Sequence, residues 1–218
     1  MIVVSDLGGT LTTGYPVIGL VKWVHHNQSK FRANFYLARL VIPVYLFTNL
    51  KLINAEAAGQ KLMVTALSLI KNPSHESLEQ MGEWAVEHEL WPKRRQNVVD
   101  RLTSHVKDGT QVYIVSSVYE PTAKAFANRI GVNAIGSPLE IVDSRARFEK
   151  AINAGNQKAQ KVLTQLGVDK VDVAYGDTQL DIPLLEIADN PVAVHPNEAL
   201  RATALERGWE ILEDREEK

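Results

Sequence analysis

The sequence predicts an α/β fold: a doubly wound parallel-sheet core with an all-helical segment inserted after its first strand. Three observations lead there. A short apolar run, Ile2-Val3-Val4-Ser5, ends at once in Asp6-Leu7-Gly8-Gly9, a strand entering a tight turn. From about Tyr15 to Leu90 no strand pattern follows, and apolar residues recur at helical spacing, as in Val17, Leu20, Val21 and Val24 or Leu62, Ala66, Leu69 and Ile70. Beyond Pro92 short apolar runs alternate with helical stretches, the pattern of strands that lie parallel and are covered on both faces.

Taken in order, strand Ile2–Ser5 begins the sheet. The helical segment breaks at Gln28-Ser29, Thr48-Asn49, Asn72-Pro73-Ser74 and Trp91-Pro92. Asn54 and Ser74 are suited to accept the unpaired N–H groups of a first turn, and Pro92 suits a first turn because it has no N–H to leave unpaired. A helix then reaches about Lys107, and the turn Asp108-Gly109 leads into a strand over Gln111–Val115. A helix from Pro121 to Ile130 follows, with short strands near Ala134–Ile135 and Glu140–Val142. Helix Asn156–Leu166, strand Val171–Tyr175, a helix near Ile182–Ala188, strand Val192–Val194, helix Asn197–Arg207 and strand Trp209–Leu212 complete the pattern. The expected domains are an α/β core of residues 1–13 and 93–218 and a helical cap of residues 14–92.

The chain of 218 residues accommodates one domain plus a substantial insertion. Its formal net charge is −2 with no run of Lys or Arg, so the electrostatic footprint of a nucleic-acid binder is missing. With no cysteine, disulfides and thiolate metal sites are excluded, and the composition fits a reducing compartment. The opening apolar run lacks the basic flank and the length of a signal peptide or anchor, so a cytoplasmic location is expected. The most apolar stretch, Leu40–Phe47, lies between Arg39 and Lys51, short of the roughly 20 residues an integral membrane span needs. It reads as cap core or, alternatively, as an apolar cap surface with Phe31, Phe35, Tyr36 and Tyr45 that meets a lipid-like substrate or a dimer partner. Homo-oligomerisation stays open.

In open parallel sheets ligands sit outside the carboxyl ends of the strands. Asp6, Ser116 and Asp177 all fall at such ends. A carboxylate nucleophile facing an anionic phosphate needs a cation between them, and Mg²⁺ fits because it takes oxygen ligands and keeps several waters. Asp6 and Asp177 can supply carboxylates, Gly8 a backbone carbonyl, and Asp181 can bind the metal or orient its shell. Gly8 and Gly9 allow backbone N–H groups close to phosphate oxygens, and Ser116 and Ser117 bring hydroxyls from the next strand. Lys158, in the first turn of its helix, can hold phosphate and nucleophile together. Lys161 lies one turn further on.

Together these residues resemble the motifs of the haloacid dehalogenase superfamily, in the phosphoserine-phosphatase-like branch with a helical cap. Asp6-Leu7-Gly8-Gly9-Thr10-Leu11-Thr12 is similar to its first motif, Val115-Ser116-Ser117 to the second, Lys158 to the third, and Gly176-Asp177 through Asp181 to the fourth. The resemblance implies an Mg²⁺-dependent phosphatase acting on a small phosphorylated substrate, with Asp6 as the nucleophile that becomes an aspartyl phosphate and Lys158 beside it. Gly9, Ser116, Ser117 and Lys158 would bind phosphate, and Asp6, Gly8, Asp177 and Asp181 would form the metal site. One departure matters. Phosphatases of the family usually carry a second acid two positions after the nucleophile, and here that position is Gly8. A general acid–base typically contributes on the order of 10²–10⁴ in rate, so turnover is expected to be impaired. Thr12, His25 and His26 are conceivable substitutes, and Lys22, Lys30 or Lys51 would be the Schiff-base candidates if the chemistry were that of a phosphonatase. Two alternatives remain: a catalytically degenerate member that binds a phosphorylated ligand or partner, or a replacement at Gly8 in an otherwise active enzyme. Tyr15 occupies the place where phosphoserine phosphatases carry a substrate-binding glutamate, which argues against phosphoserine.

Overall fold

The computed structural model describes residues 1–150 and 152–213. Its strands are β1 (Ile2–Ser5), β2 (Gln111–Tyr119), β3 (Asn133–Ser137), β4 (Leu139–Val142), β5 (Arg145–Phe148), β6 (Val171–Gly176), β7 (Ala188–Val194) and β8 (Glu210–Leu212). Six of them form one sheet in the order β3-β2-β1-β6-β7-β8, and every pairing in it is parallel. β4 and β5 form a separate antiparallel hairpin. The α/β class and the parallel sheet expected from the sequence are therefore present.

The helices after β1 are α1 (Pro16–Asn27), α2 (Lys30–Tyr36), α3 (Ile42–Asn49), α4 (Ala55–Ala66) and α5 (His75–Ala85), and none of the described residues from 16 to 93 is in a strand. A wide-turned stretch, Leu37–Val41, joins α2 to α3, so the chain is helical without a break from Lys30 to Asn49. Asn54 and Ser74 cap α4 and α5 as expected, their side chains accepting from Ala57 N and Ser77 N. The remaining helices are α6 (Gln96–Lys107), α7 (Glu120–Ile130), α8 (Asn156–Leu166), α9 (Ile182–Glu186) and α10 (Glu198–Arg207).

Alternation along the strands sorts their side chains onto two faces. Val3, Val112, Ile114, Tyr175, Val192 and Val194 face α6 and α7, packing with Val98, Val99, Leu102, Ala123 and Phe126. Val4, Val115, Ala174 and Ala193 face the other way, against Val162 of α8, Leu184 and Leu185 of α9, and Leu200 and Ala204 of α10. The inserted helices bury a third cluster of their own, including Leu20, Val24, Ala66, Leu78 and Met81.

The two chain crossings between sheet and insertion are bound side by side. Thr12 Oγ1 donates to Leu90 O at 2.6 Å and Lys93 O at 3.2 Å, Arg95 N donates to Leu11 O at 2.8 Å, and Thr13 N to Lys93 O at 3.0 Å. Beside them the fully buried Glu89 takes Lys22 Nζ at 2.5 Å and also pairs with Lys93.

Four expectations need correction. β2 runs to Tyr119 rather than Val115, so Ser116 and Ser117 lie within it, at a shift in its register with β3 between Val115 and Tyr119. Glu140–Val142 is part of the hairpin, whose second strand, Arg-Ala-Arg-Phe, is too polar to read as a strand. Helix α9 ends at Glu186 and β7 starts at Ala188, the polar Asp189 and Asn190 having hidden its first half. Tyr36 is buried, with its hydroxyl on Leu62 O at 2.7 Å, and so is not part of an apolar cap surface.

Tyr119 ties the insertion to the sheet: its ring is fully buried, stacks on Phe148, and its hydroxyl donates to Met63 O at 2.9 Å. Tyr119→Phe keeps the packing and loses that bond, so it should lower the unfolding free energy by about 1 kcal/mol. Urea denaturation followed by circular dichroism measures this.

Candidate active site

β1 lies between β2 and β6, with Ser5 level with Ile114 on one side and Tyr175 on the other. The chain leaves β1 toward β2 and β3 on one side, while β6, β7 and β8 extend on the other, so β1 and β6 flank the point where strand order reverses. Crevices form there in open sheets. Asp6 sits one residue past Ser5, its N–H still bonded to Tyr175 O at 2.9 Å, and Asp177 follows the last residue of β6.

The structure brings Asp6, Lys158, Asp177 and Asp181 together. Lys158 reaches Asp6 Oδ1 at 2.6 Å and Asp181 Oδ1 at 2.7 Å from the first turn of α8, and all three side chains are nearly inaccessible. One carboxylate oxygen from each of Asp6, Asp177 and Asp181 lies within 4.8 Å of the other two. Lys161, by contrast, donates to Gly136 O at 2.9 Å.

Asp181 is committed on both oxygens. Its Oδ1 holds Lys158, while its Oδ2 accepts Asp177 N at 3.2 Å, Thr178 N at 3.2 Å and Thr178 Oγ1 at 3.3 Å, capping the turn that carries Asp177. Asp177 takes Thr10 Oγ1 on its Oδ1 at 3.0 Å, and among the described residues no protein donor reaches its Oδ2. That oxygen faces Gly9, where a Cβ would stand 1.9 Å from it and where φ is +87°. Position 9 must be glycine on both counts. Position 8 is the opposite case: a Cβ added there meets nothing within 4 Å.

Burial pushes the Asp6 carboxyl up to about 6 although Lys158 pulls it down. Burial, then the charges of Asp6 and Asp181, push Asp177 up to about 8. Burial also opposes the Lys158 ammonium, but Asp181 and Asp6 outweigh it and raise its pKa above the ordinary lysine value. Loss of hydration is thus the largest cause for the two carboxyls, with like charge adding to it at Asp177, while the opposite charges beside Lys158 hold its proton.

Ser116 is buried two residues beyond Ile114, beside the end of β1. Its Oγ accepts Val118 N at 3.4 Å. Ser117 contributes its carbonyl to Ser137 Oγ at 2.9 Å. Thr12, His26 and Lys22 are engaged elsewhere: Thr12 at the chain crossings, His26 stacked on Trp84, and Lys22 on Glu89. Sequence reasoning missed Thr10, although it directly follows Gly9. It also missed Asn153, which is buried with its N–H on Ser137 Oγ at 3.0 Å and its Nδ2 on Ser116 O at 3.4 Å. Arg95, whose Nε donates to Gly9 O at 2.9 Å, and Gln179, bonded to Glu56 at the start of α4, complete the surroundings. These contacts span from 16 to 167 residues of sequence, so no local pattern marks them.

Comparison with known proteins agrees with this geometry. The family profile described as haloacid dehalogenase-like hydrolase matches residues 3–186. The phosphoserine phosphatase SerB1 of Mycobacterium tuberculosis is 28% identical over 223 residues, spanning 96% of this chain and 70% of its own. A histidinol-phosphatase of Neisseria meningitidis is 28% identical over 145 residues, 62% of this chain and 63% of its own. Among solved structures, a protein of unknown function from Bordetella pertussis superposes with a TM-score of 0.74 at 22% identity, covering 97% of both chains. The matched region takes in β1 with Asp6, β2 with Ser116, α8 with Lys158 and β6 with Asp177 and Asp181, and the chain belongs to the haloacid dehalogenase-like hydrolases.

Proposed function

We propose that this hydrolase cleaves small phosphomonoesters by transfer of the phosphoryl group to Asp6, with Mg²⁺ held by Asp6, Asp177 and the carbonyl of Gly8. The observation that carries this reading is Asp177 Oδ2, an oxygen that no protein donor among the described residues reaches, in a cluster of three carboxylates and one ammonium. A single Lys158 leaves that cluster two charges short of balance, and a divalent cation restores it. The bound cation would supply charge neutralisation and polarisation of the phosphoryl oxygens. Asp181, with both oxygens engaged by protein donors, acts as the orienting group for Lys158 and for the turn of Asp177.

In this mechanism Asp6 attacks phosphorus as the carboxylate, an acyl phosphate bond forms, and the ester P–O bond breaks. Water then attacks the phosphorus, inorganic phosphate leaves and Asp6 is regenerated. Lys158 holds Asp6 and a phosphoryl oxygen, while Ser116 and Ser117 bind further phosphoryl oxygens; the N–H of Gly9, expected from the sequence to do the same, donates instead to Thr12 O at 2.8 Å. Residues 14–92 form a cap over a core of residues 1–13 and 93–218, and the Glu56–Gln179 contact links that cap to the turn of Asp177. The relatives named for phosphoserine and histidinol phosphate support a small alkyl phosphomonoester as the substrate class.

Gly8 shapes the rate. With no side chain there to protonate the departing oxygen, the leaving group must depart as the anion or take its proton from water. Stable anions such as aryloxides are therefore favoured. The native chain should hydrolyse aryl phosphates faster than alkyl phosphates, Asp6→Asn should abolish both, and Gly8→Asp should raise alkyl phosphate turnover by on the order of 10²–10⁴. Phosphate-release assays on the three proteins measure this, and aryl hydrolysis that survives Asp6→Asn would refute the mechanism.

The raised pKa of Asp177 sets a second expectation. The folded chain keeps a proton that the unfolded chain releases above its ordinary value of 3.8, so the stability this gives is complete below that value. It is lost as the pH rises to about 8. In chelator, Asp177→Asn should gain in melting temperature relative to the native chain across that window. Added Mg²⁺ should stabilise the native chain more at the upper end of the window than in its middle, and should not stabilise the variant, because ion binding must displace the proton. Thermal scans over pH with and without Mg²⁺ test both statements.

A further inference from the structure

The continuous helix from Lys30 to Asn49 is apolar on both of its faces. Ala33 and Tyr36 are buried against the rest of the insertion, with Leu37 and Val41 packed beside them. Phe31, Phe35, Ile42, Tyr45 and Leu46 recur at helical spacing on the opposite side and are exposed, Phe31 by 79% and Tyr45 by 62%. The chain continues through Leu50, Leu52 and Ile53, the first two exposed by 65% and 67%. The Leu40–Phe47 stretch is thus not cap core. A helix that is apolar all round is ordinarily buried all round, and soluble monomers rarely expose contiguous apolar patches of more than a few hundred Å².

Charge indicates what covers this face. Between Asp6 and Glu56 the chain has no acidic residue, while Lys22, Lys30, Arg32, Arg39 and Lys51 all fall there, in a chain whose net charge is −2. Lys22 is used by Glu89, but Lys30, Arg39 and Lys51 are exposed and lie along the helix that carries the apolar stripe or just past its end. An apolar stripe with basic residues and no acidic ones matches an anionic lipid surface, whose headgroups attract the cations while the acyl region takes the aromatic and aliphatic side chains. A second copy fits less well, since a two-fold contact would bring together two surfaces that both carry basic residues and no acidic partner from this stretch. We infer that this helix docks in the plane of an anionic bilayer surface. No helix of the described residues is long and apolar enough to cross a membrane, so the contact is peripheral.

The test is flotation of the full chain with vesicles of phosphatidylcholine alone and of phosphatidylcholine mixed with phosphatidylglycerol, at low and high salt. Binding to the mixed vesicles that weakens with salt is expected. The double variant R39Q/K51Q should weaken it by about thirtyfold, each basic residue at an anionic surface contributing about fivefold. The variant F31S/I42S/Y45S should abolish binding while keeping its far-ultraviolet circular dichroism and its phosphatase activity in solution, since these side chains face solvent. Absence of vesicle binding by the native chain would overturn the proposal. Equal binding to both vesicle types would refute its electrostatic basis. A dimer in light scattering that F31S/I42S/Y45S converts to monomer, without vesicle binding, would assign the face to a second copy instead.

Discussion

The ammonium of Lys158, seated between Asp6 and Asp181, is the contact on which the arrangement of this molecule's strand ends depends. Three carboxylates crowd one nearly dry volume, and without a cation among them they would have to take up protons or move apart. Placing that cation requires α8 to begin where it does, after the turn at Gly155, with its first turn aimed at the end of β1. The segment before α8 is fastened in turn by Asn153 to the carbonyls of Ser116 and Ile135 and to the hydroxyl of Ser137. Asp6, Lys158 and the serine-bearing strand thereby share one frame, although they lie in distant parts of the sequence.

The helical insertion meets the rest of the chain at several places, including α5 against α7 and Tyr119 on Met63 O, and two of the connections differ in character. Near Thr12 and Glu89 the chain crossings are joined by backbone ladders, a buried hydroxyl and a buried carboxylate with two lysines. Near Glu56 and Gln179 a pair of side chains makes the connection. The first is covalently continuous and densely bonded, the second is easily exchanged for water. The basic, apolar helix lies on the sequence just before Glu56, whose side chain bonds Gln179 in the turn that follows Asp177.

Much of this was legible in the chain. The strand ending in Asp6, the Asp177 turn, the helical character of residues 16 to 93 and the caps at Asn54 and Ser74 follow from periodicity and turn chemistry, which act over a few residues. What escaped was governed by distant partners. Ser116 looked like a strand end because two serines suit loops, yet β3 pairs on past it and draws Tyr119 into the sheet. Tyr36 looked like part of an exposed aromatic group until a carbonyl 26 residues away claimed its hydroxyl. Thr10 looked like a turn residue, and only the return of the chain 167 residues later gives its hydroxyl the Asp177 carboxylate to hold. The exposed apolar stripe stood only as the alternative to cap core, because sequence gives hydrophobicity but not which of two apolar faces the fold will cover.

The two adjacent glycines differ in what they allow over evolutionary time. Gly9 is locked, since any side chain there would enter the Asp177 carboxylate. Gly8 has open space where a side chain would begin, and every glycine codon lies a single base change from a codon for aspartate or glutamate. Acquisition of an acid two residues past Asp6 is therefore within reach of a point mutation that the fold can absorb. Neither the genetic code nor the packing around its Cα enforces glycine at that position.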